Sequence, residues 1–337
     1  MYGPWQVGQM TAEDYAKRAA QWGKALKLLD PSLCLILCGL DGLSSWDHEV
    51  LKACIPFVDM HSIHMYTCSN DHLPNAVAPL AAERGIESAA ALIDMARIEN
   101  KIPPSVARTT ICFDEWNVWD PLRAIGEQGA EESYTLSDAL AVGIWLNVFV
   151  RQSKWVGMAN IAQNVNVISP LMTSKDGITK QTTWWPLLLF SKYMRGWTVG
   201  AHVSGSAYDG VTAPVWLQGS LEQGASWLDV SASVNAEGVL SLAVVNVSET
   251  DDFETDLVGV GKDVDVYTVT GDNVKVTNVN GKEGVGIKES KWDGQGKYKF
   301  SKHSITMLRW QTGKKITNTS KAAGTALDTR KMAWAGN

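Results

Sequence analysis

The 337-residue sequence has no excess of positive charge: 30 Lys and Arg stand against 36 Asp and Glu, a formal net charge of −6. A chain of this balance has no general attraction for phosphate backbones or anionic lipid, so nucleic acid and membrane are disfavoured as partners. It also lacks any apolar run near the ~20 residues that a membrane span needs. The longest, Ala139 to Val150, is closed off by Asp138 and Arg151. The start, Met1-Tyr-Gly-Pro-Trp-Gln6, has neither the basic nor the apolar segment of a secretory leader. Cysteine is sparse and unpaired in pattern. Cys34, Cys38, Cys54, Cys68 and Cys112 contain no CxxC pair, which argues against a disulfide framework and a zinc ribbon. They read as small core hydrophobes and favour a reducing compartment, although the compartment stays open. No GxGxxG or GxxxxGK[ST] loop follows any strand-like run, so dinucleotide and P-loop chemistry lose support. The six His show no metal-ligand spacing, and neither a metal nor another cofactor is expected.

What the sequence has in excess is Trp, 15 residues against 8 Tyr and 6 Phe. Flat aromatics with a polar edge suit stacking on sugar rings, and they serve equally well as core residues. With 45% hydrophobic and 20% charged residues the chain is globular, and its length predicts roughly two domains.

The hydrophobic pattern divides near residue 195. Before it, helix-period and short apolar segments alternate. Thr11-Ala-Glu-Asp14 opens a helix whose Tyr15, Ala19, Trp22, Leu26 and Leu29 share a face. Apolar runs at Leu33–Leu40, Phe57–Tyr66, Arg108–Glu115 and Trp155–Gln163 read as buried strands. Helices near Trp46–Ala53, Pro79–Glu99, Thr135–Arg151 and Thr182–Tyr193 follow them in turn. Four β–α units predict a parallel sheet, doubly wound or part of a (β/α) barrel. After Gly196 the runs become short and alternating: Trp227–Val234, Val239–Asn246, Val264–Val269 and Ser304–Trp310. Turn signals at Asn235-Ala-Glu-Gly, Gly271-Asp-Asn and Asn280-Gly281 separate them. This predicts an antiparallel β-sandwich. Residues 313–337, rich in Lys, Thr and Ala, read as a disordered tail.

Chemistry concentrates in Cys112-Phe-Asp-Glu-Trp-Asn-Val-Trp-Asp120, where Glu115 falls at the end of an apolar strand. Strand ends form the active-site face of a barrel. A carboxylate between Trp116 and Trp119 there suits attack on an anomeric carbon with aromatic faces against the sugar. A lone Glu among aromatics is also an ordinary structural ion, and spacing alone leaves both readings open.

Phe113-Asp-Glu-Trp-Asn-Val-Trp119 resembles the nucleophile motif of the α-L-arabinofuranosidases of glycoside hydrolase family 51. Three further segments extend the resemblance over about residues 1 to 312. Gly3-Pro-Trp-Gln6 with the following helix resembles the stretch after that family's fourth barrel strand. His61-Ser-Ile-His-Met-Tyr66 resembles the end of its sixth strand, and Ala159-Asn-Ile-Ala-Gln-Asn-Val-Asn-Val-Ile168 its eighth. The resemblance implies the C-terminal half of a (β/α)8 TIM barrel at residues 1–195 and a β-sandwich at 196–312. It implies double displacement with retention, releasing terminal non-reducing α-L-arabinofuranosyl residues from arabinan or arabinoxylan. Glu115 would be the nucleophile, His64 and Tyr66 would position it and the sugar, Gln163 would hydrogen-bond the arabinose, and Trp119 would line the mouth. Asp114, one residue before the nucleophile, is expected on the opposite face of its strand in a structural role. The implied partner is an arabinose-containing polysaccharide or oligosaccharide, and homo-oligomerisation stays open.

A retaining glycosidase needs a second carboxyl, about 5–5.5 Å from the first, as general acid/base. In the family this is the Glu of an Asn-Glu pair, and no Asn-Glu dipeptide occurs in the 337 residues. On this reading the chain begins just past that pair, lacks half the barrel strands and is inactive or nearly so alone. Two alternatives remain: a non-catalytic carbohydrate-binding remnant, and another retaining β/α-barrel glycosidase. Asn246-Val-Ser248 and Asn318-Thr-Ser320 are glycosylation sequons that matter only in a secreted protein.

Overall fold

The computed structural model describes residues 2–123, 130–279 and 282–316. Four parallel strands, β1 (Ile36–Cys38), β2 (Met60–Thr67), β3 (Thr110–Val118) and β4 (Val156–Ile161), form a sheet in that spatial order. Helix α1 (Ala12–Leu29) precedes β1, and α2 (Ser45–Cys54) joins β1 to β2. Helices α3 (His72–Val77) and α4 (Leu80–Glu99) join β2 to β3. Helix α5 (Leu136–Arg151) joins β3 to β4, and α6 (Trp184–Tyr193) follows a hairpin of Leu171–Ser174 with Gly177–Lys180. The four expected β–α units are present. The short helix α3 and the hairpin carry no period that the sequence pattern could register.

Each helix forms for a local reason. The Thr11 side chain accepts the Asp14 N–H at the start of α1. Helix α4 buries Ala82, Ile86, Ala89, Ala90 and Ile93 on one stripe. Its small residues permit close approach: a Cβ on Gly85 would stand 2.7 Å from the Asp41 carbonyl oxygen, and Gly42 opposite has φ +79°. Helix α5 is apolar nearly all round, and it is buried nearly all round. It packs on one side against Phe113 and Trp116 of β3 through Trp145 and Phe149. On the other side Gly143 meets Ile305 and Val245 of the second sheet. Thr135 and Asp138 cap α5 reciprocally. Thr135→Ala is expected to cost about 1 kcal/mol in urea unfolding.

The second half contains a six-stranded antiparallel sheet. Its order is Gly286–Trp292, Val264–Thr270, Ser304–Gln311, Val239–Asn246, Leu228–Val234 and Trp197–Val199. One face packs on α5 in a hydrophobic cluster shared with the parallel sheet. The other face, with Leu228, Val244, Val266 and Leu308, packs on Phe253 and Phe300 of the two-stranded sheet Phe253–Asp256/Lys297–Phe300. This is the expected sandwich, with one large and one small layer. The Asn280-Gly281 turn and the tail beyond residue 316 lie outside the described residues.

Several expectations need correction. Only Ile36–Cys38 of the Leu33–Leu40 run pairs, and Leu33, Cys34 and Ile36 are exposed, because β1 is an edge strand with a single partner. Cys34 is therefore not a core hydrophobe, whereas Cys54 and Cys112 are buried. On α1 it is Ala16 and Gly23 that are buried, while Trp22 (65% exposed) and Leu29 (82%) stay in solvent. The buried face is centred one position from the one its large residues outline: Tyr15 still stacks on Trp46, and a Cβ on Gly23 would stand 3.2 Å from that of Phe57.

Candidate active site

β2 and β3 place the site. Their parallel register runs Ile63↔Phe113, then His64↔Glu115, so Asp114 is an extra residue on β3. An inserted residue breaks the strict alternation of side chains. Asp114 consequently turns to the same side as His64, whose Nδ1 lies 3.3 Å from Asp114 Oδ1. The expectation of an opposite-facing Asp114 is thus overturned by the bulge.

Glu115 is exposed at the C-terminal end of β3. The Tyr66 hydroxyl donates to its Oε2 at 3.0 Å. A hydroxyl donating to a carboxylate oxygen fixes the orientation of that group. Burial, reinforced by the Glu115 charge, pushes the Tyr66 hydroxyl well above its ordinary value, so it remains a donor. Trp119 stands edge-on to Tyr66 with ring centroids 5.2 Å apart. His64 bonds on its other nitrogen to the Tyr2 hydroxyl, and the two rings stack. Burial, with nearby Cys38, Glu115 and Asp114, pushes the Tyr2 hydroxyl up to about 12. Tyr66→Phe is expected to slow any reaction at Glu115 roughly tenfold without changing thermal stability by more than ~1 kcal/mol, since a single hydrogen bond to a charged group is lost. Initial rates and a melting curve check both.

Four of the five predicted residues, Glu115, His64, Tyr66 and Trp119, are thus within one contact chain. Gln163 lies past the end of the adjacent strand, exposed, and its side chain bonds to none of them. Its backbone N–H goes to the Ile168 carbonyl at 2.9 Å. Trp116, expected beside Glu115 at the mouth, is instead 2% exposed and packs against Trp145 and Phe149. Alternation after the bulge sends it into the core. Asp114 and Tyr2 were missed because a bulge leaves no trace in composition, and a terminal Tyr looks like any other.

His61, buried with Asp47 at 2.8 Å, ties the β1–α2 turn, since Asp47 also accepts the Leu40 and Gly42 N–H groups. Among the described residues no group of three or more His, Cys, Asp or Glu is placed to hold a metal ion, and no helix is long and apolar enough to cross a membrane.

The α-L-arabinofuranosidase C-terminal domain family matches residues 114–304. "Probable alpha-L-arabinofuranosidase C" of Aspergillus fumigatus is 63% identical over 323 residues, covering 92% of this chain and 64% of the relative. "Alpha-L-arabinofuranosidase C" of Emericella nidulans is 60% identical with the same coverage. Among solved structures, the α-L-arabinofuranosidase of Thermotoga maritima in its arabinose complex superimposes with a TM-score of 0.80 at 30% identity, covering 92% of this chain and 64% of that one. The chain spans about 64% of the length of these relatives.

Proposed function

We propose, for a chain that belongs to the α-L-arabinofuranosidases of glycoside hydrolase family 51, that it carries the nucleophile side of a retaining arabinofuranosidase site. The observation that supports this best is the Tyr66–Glu115 hydrogen bond at the C-terminal ends of adjacent parallel strands, with His64 in register beside Glu115. Sites of β/α barrels lie at that end. The parallel order β1-β2-β3-β4 and the exposure of both outer strands support reading the sheet as the last four strands of such a barrel. Residues up to 195 then form the barrel part, and 196–312 the sandwich.

In this reading the substrate is a terminal non-reducing α-L-arabinofuranosyl unit of arabinan or arabinoxylan. Glu115 Oε attacks the anomeric carbon, the glycosidic C–O bond breaks, and an ester to Glu115 forms with inversion. Water then displaces Glu115 with a second inversion, so the configuration is retained. His64 and Tyr66 hold the carboxylate and the sugar, Trp119 walls the mouth, and Gln163 turns its side chain to the sugar hydroxyls. The departing oxygen needs a proton, and no Asn-Glu pair is present to supply it. Poor leaving groups therefore stall, whereas a nitrophenolate departs unaided.

The test is incubation with 2,4-dinitrophenyl α-L-arabinofuranoside, followed by intact-mass measurement. A burst of dinitrophenolate with one pentosyl unit added to the chain supports the reading, together with at least ~100-fold slower release of methanol from the methyl arabinofuranoside. Absence of both burst and adduct, with arabinose binding intact, favours the non-catalytic binding protein.

A further inference from the structure

The aromatic wall at the mouth is held by a buried carboxylate that takes no part in the chemistry. Glu132 is 1% exposed, in the segment leading to α5. Its Oε2 accepts the backbone N–H of Asp120, the residue after Trp119, at 3.2 Å. Trp119 is fixed from its other flank as well. Its own N–H donates to the Thr67 carbonyl, and the buried Tyr134 hydroxyl donates to the Val118 carbonyl at 2.7 Å.

The same carboxylate faces a charge cluster that joins three segments. Arg123 lies 3.8 Å from Glu132 Oε1 and 3.7 Å from Asp120. Its Nη1 donates to both oxygens of Asp138 at 2.9 Å, and its Nη2 to the Ser69 carbonyl beyond β2. Asp138 is in turn the capping residue of α5 and accepts from Asn75. One guanidinium thus faces three carboxylates, and Glu132 Oε1 is left with no hydrogen-bond partner. Burial without full compensation is a strained arrangement, and such groups persist where they fix a geometry.

We propose that Glu132 is a positioning residue for Trp119: by fixing the Asp120 amide it sets the angle at which Trp119 meets Tyr66, and so the shape of the sugar mouth beside Glu115. This deepens the nucleophile reading and rests on it for its functional meaning. The geometry has a pH corollary. Burial pushes Glu132 up to about 7. The groups facing it are Asp120 and Arg123 beyond β3, Asp138 on α5, and Cys68 and Tyr134 close by. Deprotonation of Glu132 across neutrality adds a second uncompensated negative charge next to Asp120, and Trp119 responds.

The experiment labels the full chain with 5-fluorotryptophan and records ¹⁹F spectra, assigning Trp119 by Trp119→Phe and Trp292 in the distant sheet by Trp292→Phe. In Glu132→Ala the Trp119 line is expected to shift by more than its width while Trp292 stays put, and pentosyl-adduct formation to slow at least fivefold. Glu132→Gln keeps an acceptor oxygen of the same shape. It is expected to restore the Trp119 position and the adduct rate, and to abolish the shift with pH that wild type shows around 7. An unmoved Trp119 line in folded Glu132→Ala overturns the proposal. So does an identical pH response of Trp119 in wild type and Glu132→Gln, an arm that survives if the Ala variant does not fold. If wild type forms no adduct yet the Trp119 line behaves as described, the positioning role stands and the nucleophile reading fails.

Discussion

Glu115→Gln is expected to reduce pentosyl-adduct formation from an activated arabinofuranoside by at least ~1000-fold, to the level of the uncatalysed background. The amide has the shape of the carboxylate and still accepts from Tyr66, so geometry is retained and nucleophilicity alone is lost. Because Glu115 is exposed, thermal stability is expected to move by less than ~0.5 kcal/mol. That separation of rate from stability is the informative part. A variant that loses the adduct and also melts early would point to a structural carboxylate, and one that keeps the adduct would place the nucleophile elsewhere. Peptide mapping of the wild-type adduct should return Glu115 as the modified residue.

Arg151→Ala is expected to cost about 3 kcal/mol of folding stability. Arg151 sits at the end of α5 and bonds Glu83 of α4 at 2.8 and 3.0 Å, Asp229 of the second sheet at 3.0 Å, and the Val230 carbonyl at 2.9 Å. Asn147 donates to the same Asp229. One guanidinium therefore ties both halves of the molecule. Removing it leaves two carboxylates, 17% and 11% exposed, without their cation, and breaking such a pair from one side costs about 3–5 kcal/mol. Partial exposure of Arg151 itself puts the estimate at the lower end. The pH dependence is diagnostic. Burial opposes it, but Arg151 holds Glu83 below the ordinary carboxylate range, a contribution to stability lost as pH falls through that lowered value. Burial pushes Asp229 above its ordinary value despite Arg151, so its contribution has the opposite sign. Without Arg151 both carboxylates rise. A group raised on folding destabilises above its folded value and ceases to do so once protonated, so the deficit of the variant should shrink toward pH 4. Urea titrations of both proteins at pH 7 and pH 4 check this. A deficit that is constant with pH would mean that lost packing, not buried charge, dominates.

The placement of most elements was legible from period alone. Helix α5 was predicted from Thr135 to Arg151 and runs from Leu136 to Arg151 behind its Thr135 cap. The strands Val239–Asn246 and Leu228–Val234 were predicted within a residue. Local rules suffice there because caps, alternation and turn glycines act over a few residues. The motif around Glu115 was legible for the same reason, since it is contiguous in the chain.

Contacts between distant segments were not legible. Trp116 and Trp119 are indistinguishable in type, yet three residues of extended chain put them on opposite faces, and the bulge at Asp114 decides that Trp116 takes the core and Trp119 the side of Tyr66. The face outlined by Tyr15, Ala19, Trp22 and Leu29 on α1 packs only in part: Tyr15 stacks on Trp46, whereas Trp22 and Leu29 stay exposed and Gly23 is the residue that meets Phe57. Nothing in the sequence pattern marks Glu132, which folding encloses beside Arg123. The sequence by itself determined the two kinds of architecture and their order, which are written in short-range periodicity, and a contiguous motif around Glu115 that resembles one of a known family. The tertiary structure alone decided which carboxylates share a side, which Trp meets solvent and which charges are buried. Those are set by strand register and burial, quantities that exist only once remote segments meet.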